Sequence, residues 1–156
     1  MKFTFGACAV ICTAIAVGGP TRAADAFYIG TWKISAAAVA PWADPKQKSD
    51  SAEQARLLNK TVVFKLKEIA GPPPFACKPA HYKESDFSAD MLFQGAFDEM
   101  RSNDKSVDPD NLAASLGFAG KRIKTLETGC EFDFHFVDAA TAETGLNNTV
   151  YTLRKQ

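Results

Sequence analysis

Residues 131–136 alternate strictly, Glu131, Asp133 and His135 against Phe132, Phe134 and Phe136. A period of two is the mark of a strand buried on one side, with the phenylalanines inward and the polar residues in water. The polar side also carries the one arrangement in the chain that suits a metal ion. Asp133 and His135 stand two residues apart on one strand face, where a carboxylate and an imidazole can reach the same ion, and Zn²⁺ accepts that pair. A third ligand must come from elsewhere, with His81 or Glu131 as the donor. No nucleophile elbow, metalloprotease histidine pair, phosphate-cradling glycine loop or cysteine-nucleophile context accompanies them. No carboxylate pair stands out among the 18 acidic residues. The expectation is a protein that is not an enzyme and needs no cofactor.

Three aromatic residues are candidates for ligand or partner contact. Trp42 lies between Pro41 and Pro45, in a loop where it either anchors an interface or folds back as a plug. Phe75 and Tyr82 flank Cys77, just after the stiff run Pro72-Pro73-Pro74.

The elements that must position these residues are mostly strands. Alternation or β-rich composition predicts strands over residues 27–35, 61–69, 81–87, 122–128, 130–137 and 149–154. Residues 138–148 are small and polar and read as a turn region. Asp50 followed three positions later by Glu53 predicts a short helix start. Phe93, Ala96, Phe97 and Met100 share one helical face, and Asp108-Pro109 opens a further turn or two that ends at Gly117. The fold class is mainly β: an antiparallel, barrel-like or strongly curved sheet with one or two short helices.

The address lies at the start. Lys2 precedes an uncharged apolar run over residues 3–18, then Gly19-Pro20 and the small residues Ala23, Ala24 and Ala26. That is the layout of a signal peptide, residues 1–24, with cleavage between 23 and 26, leaving a single β-rich domain over 25–156. The run is shorter than the roughly 20 residues of a membrane span, so a periplasmic or secreted protein without a span is expected. Cys8 and Cys12 leave with the leader. Cys77 and Cys130 remain, and in an oxidising compartment they are expected to pair. The loop they close is worth about 3–4 kcal/mol in the chain-entropy model. The mature chain keeps 16 basic residues against 18 acidic ones, which excludes a nucleic-acid partner.

Gly30-Thr31-Trp32 near the start and Arg154 in the last strand resemble the pattern of lipocalins and the wider calycin group. The resemblance implies that Gly30 and Trp32 open the first barrel strand and that Arg154 packs across the Trp32 ring. The expectation is an exported, non-catalytic binding protein for a small apolar ligand, held inside or at the mouth of a barrel, with aromatic lining supplied by the phenylalanines, twelve in the whole chain and two of them in the leader. The alternatives are an envelope inhibitor or other protein-interaction module, and a metal-binding protein centred on His135.

Overall fold

The computed structural model describes residues 26–46 and 50–156; the expected leader lies outside them. Eight strands form one antiparallel sheet. They are β1 (Gly30–Val39), β2 (Thr61–Lys65), β3 (Glu68–Ala70), β4 (Lys83–Phe87), β5 (Ile123–Glu127), β6 (Phe134–Asp138), β7 (Thr141–Leu146) and β8 (Thr149–Lys155). Three short helices accompany them: α1 (Ser51–Leu57), α2 (Leu92–Asn103) and α3 (Pro109–Ser115). Asp50 caps α1 by accepting from the amides of Ala52 and Glu53, and Asp108 caps α3 ahead of its first-turn proline.

The sheet order is β3-β2-β1-β8-β7-β6-β5-β4. Every consecutive pair of strands is therefore hydrogen-bonded except β3 and β4, and β8 returns to β1. The result is a half-barrel curled around an aromatic core and open between β3 and β4. Residues 77–82 form a strap across that opening. Cys77 exchanges both backbone hydrogen bonds with Ile69, each 2.9 Å, and the Ala80 amide donates to the Lys67 carbonyl at 3.0 Å. The His81 amide donates to the Thr128 carbonyl at 2.8 Å, at the far side of the gap. The Cys77–Cys130 disulfide, with Cα atoms 6.4 Å apart, fastens the strap. Tyr82 adds a bond from its hydroxyl to the Glu68 carbonyl at 2.9 Å, and burial pushes its phenol up to about 12.

Strand alternation sorts the side chains into two cores. The inner one holds Trp32, Ile34, Phe64, Phe134, Tyr151 and Leu153, all essentially inaccessible. Phe134 meets Phe64 edge-on at 4.8 Å, and Trp32 meets Phe136 at 5.6 Å. Phe75 is buried here too, against Phe132 and Tyr151. The outer core lies between the back of the sheet and the helices, with Phe93 and Phe97 of α2 over Ile123 and Val150.

Trp32 is fully buried, and its indole N–H donates to the Tyr28 carbonyl at 2.8 Å. Its cationic neighbour, however, is Lys155, whose Nζ sits 5.6 Å from the ring centroid. Arg154 pairs in register with Lys33, on the other side of the sheet, and its guanidinium donates to the Thr141 hydroxyl at 2.6 Å. Because successive residues of a strand face opposite ways, one position decides which cation covers the tryptophan. Lys155→Ala is accordingly expected to cost about 1 kcal/mol through lost ring and stem contact, and Arg154→Ala less than about 0.5 kcal/mol; urea titration of both variants checks the order. Gly30 opens β1 at φ +128°, where a side chain would be strained.

Candidate functional site: a pocket where two strands part

The ladder between β6 and β7 ends at the pair His135–Glu143, but β7 continues to Leu146 against β8 alone. Phe132 and Asp133 precede β6 and stand opposite this unpaired stretch. The opening is a pocket of about 120 Å³. Trp42, Phe93 and Phe132 wall it, while Asp133, Thr144 and Asn147 supply polar groups.

Local geometry explains each wall. Trp42 folds back from its proline-bounded loop and lies on Gly145. A Cβ at that glycine would come within 3.0 Å of Trp42 Cζ2 and 3.2 Å of Phe93 Cδ1, so only glycine admits the ring. The indole N–H donates to the Asn147 carbonyl at 3.0 Å. Asn147 takes a left-handed turn conformation, and its amide donates to Glu53 Oε2 at 2.8 Å. The other Glu53 oxygen accepts from the Tyr151 hydroxyl at 2.8 Å, so α1 holds this turn from below.

The roof is strained. Phe93, Gln94 and Gly95 are all left-handed, with φ of 50°, 61° and 81°. The regular helical part of α2 begins after them, which is why the helical spacing anticipated from Phe93 places that ring correctly but not its backbone. Each non-glycine residue in this conformation costs about 1–2 kcal/mol. Two hydrogen bonds hold it: the Phe93 amide donates to His135 Nε2 at 3.0 Å, and the Gln94 side chain donates to the Glu131 carbonyl at 2.8 Å. Backbone strain of this kind concentrates at ligand sites.

His135 is not the solvated strand residue that alternation suggested; α2 covers it. Since Nε2 accepts from an amide, the ring proton sits on Nδ1, which donates to the Thr125 hydroxyl at 2.9 Å. That hydroxyl passes on to the Ile123 carbonyl at 3.3 Å. Burial holds the imidazole down to about 3, so it is neutral at ordinary pH. Both ring nitrogens are engaged and neither is left for a metal. His81 lies on the strap instead, and among the described residues no group of three histidine, cysteine or acidic side chains could hold an ion. Asp133, His135 and His81 are thus not brought together as a set of three.

Asp133 is half-buried in the pocket wall. Desolvation raises its carboxyl above the usual range, the Thr128 amide opposes this, and the charge on Glu127 adds to it. Thr144 is 1% exposed and its hydroxyl has no hydrogen-bond partner among the described residues. A buried hydroxyl without a partner costs roughly 1–3 kcal/mol. The pocket thus unites Trp42, Asp133 and His135, while Phe75, Tyr82 and His81 stand elsewhere. Phe93, Gln94, Thr144, Gly145 and Asn147 are its unanticipated members. Of these, Phe93 carried the helical spacing, and Thr144, Gly145 and Asn147 lay in the stretch that reads as a turn.

Next to His135 in register, Glu143 is also buried, with Oε2 unpartnered among the described residues. Desolvation pushes it up to about 7. The two groups drive stability in opposite directions. Between about pH 3 and 6.5 the unfolded chain carries a proton on His135 that the folded one lacks, so stability rises with pH. Between about pH 4.5 and 7 the folded chain carries a proton on Glu143 that the unfolded one lacks, so stability falls with pH. They cancel over their shared range. In Glu143→Gln the cancellation is lost, and chemical denaturation should show stability climbing by up to about 1.4 kcal/mol per pH unit from pH 4.5 to 6.5. A pH-independent difference between variant and wild type would contradict this.

No family model, curated protein or solved structure matches the chain.

Proposed function

We propose that the protein is an exported, non-catalytic binding protein whose Trp42 pocket takes the small cationic end of its ligand. The observation that carries this is one pocket, walled by Trp42, Phe93 and Phe132, whose lining includes both a half-buried Asp133 carboxylate and Thr144, with a hydroxyl unpartnered among the described residues. A desolvated carboxylate is relieved by a cation, the aromatic faces attract one, and an ammonium has donors for both Asp133 and Thr144. Asp133 is the charged member of the lining, since His135 is held neutral. At about 120 Å³ the space suits a group of a few heavy atoms rather than a drug-sized molecule.

The small apolar ligand anticipated from the sequence finds less support. The phenylalanines expected to line an interior cavity pack on one another instead. Eight antiparallel strands in meander order favour the lipocalin-like reading; the placement of Arg154 counts against it.

The test is calorimetric titration with ethylammonium and with ethanol, its neutral counterpart. Three heavy atoms can yield at most about 4.5 kcal/mol, so the expected dissociation constant for ethylammonium is about millimolar. Asp133→Asn should weaken it about tenfold or more. Equal affinity for the two compounds, or an unchanged Asp133→Asn variant, would refute the assignment.

A further inference from the structure

The turn between β2 and β3 presents Leu66 almost bare, 79% exposed, at the end of a hairpin whose strands are only 5 and 3 residues long. Leu66 is flanked in sequence by Lys65 and Lys67, and the strap brings Lys78 alongside. Behind the tip lies a wide, open trough of about 720 Å³, whose apolar floor includes Ile29 and Val63. Glu68 is the acidic residue of this lining, and it sits between Lys65 and Lys78 at 3.6 Å from each. One carboxylate shared by two ammonium groups leaves the patch cationic. The near-zero net charge of the chain conceals this local excess.

We infer that this hairpin tip is a docking surface for an anionic lipid bilayer. A protruding apolar residue ringed by lysines matches an interface in which Leu66 enters the boundary between headgroups and acyl chains while Lys65, Lys67 and Lys78 meet lipid phosphates. Leu66 lines the trough together with Lys65, Lys67 and Lys78, and a broad anionic surface meets the exposed tip and the three lysines at once. The contact is peripheral and reversible, because one leucine and a few lysines are too little for permanent anchoring. It places the protein at a membrane surface through a contact that needs no span, and it is independent of the Trp42 pocket.

The experiment is flotation of the protein with vesicles of phosphatidylglycerol mixed with phosphatidylcholine, and of phosphatidylcholine alone. Wild type, Leu66→Asp and Lys67→Glu are compared on the same N-terminus, so that any contribution of residues 1–25 is common to all three. Wild type should float with the anionic vesicles, and less so as salt is raised. Each variant should bind them about tenfold more weakly, with an unchanged urea midpoint because the tip is exposed. Equal binding to both vesicle types, or variants that bind like wild type, would overturn the inference. Binding by the variants equal to wild type would assign any membrane affinity to the N-terminal segment.

Discussion

Phe134→Ala is expected to destabilise the protein by about 3–5 kcal/mol. The ring is inaccessible, meets Phe64 at 4.8 Å and lies 6.3 Å from Phe75. It thereby joins β6 to β2 on one side and to the segment before the strap on the other. A half-barrel has little slack to collapse into the space left behind, because its inner face is packed by aromatic groups from strands far apart in sequence. Urea titration gives the value directly. A loss below about 1.5 kcal/mol would mean that the inner core is loosely packed and that the curl of the sheet is held by something else. The neighbouring change Asp133→Asn, on the other face, should cost under about 1 kcal/mol, so the same strand separates packing from binding.

Removal of the disulfide should have the next largest effect. The Cys77–Cys130 bond spans 53 residues, and the double variant Cys77→Ser/Cys130→Ser is expected to lose about 3–4 kcal/mol. Its place in the fold gives the number a structural meaning. The strap it fastens is what bridges β3 and β5 where β3 and β4 fail to pair. Thiol titration of the unfolded, unreduced protein should find no free thiol at these two positions. A double variant as stable as wild type would show that the backbone bonds of Cys77, Ala80 and His81 close the gap unaided.

Much of this architecture was legible because it rests on short-range patterns. The alternation of residues 131–136 correctly turned Phe132, Phe134 and Phe136 inward, and two caps marked α1 and α3. What the sequence concealed has physical causes. Residues 138–148 read as a turn because Thr141, Ala142, Thr144 and Gly145 are small. They are small because β7 is covered on both faces, with Trp42 and Phe93 lying directly on Gly145. The strand anticipated over 61–69 is a hairpin whose turn at Leu66-Lys67 lacks glycine or proline, so nothing local announced it. With β7, that division turns six expected strands into eight. Period-two reasoning also cannot see a second layer. It put His135 in water because it could not know that α2, through the left-handed turn at residues 93–95, descends on that face. The pocket itself was half legible: Trp42 and Asp133 carried chemistry on sight, whereas Thr144 matters only because its neighbours leave it unpartnered.

The proposed site for a small cation is the space between Trp42 and Asp133. The indole N–H of Trp42 reports on that space, since its ring forms one wall and its donor is fixed on Asn147. The most direct measurement is a ¹H–¹⁵N spectrum of the labelled protein during titration with ethylammonium. Binding there should give a saturable shift of the Trp42 indole and Gly145 amide signals at about millimolar concentration, a still Trp32 indole, and no response in Asp133→Asn. Ethylammonium shifts confined to residues outside the pocket, or a full response in Asp133→Asn, would contradict it.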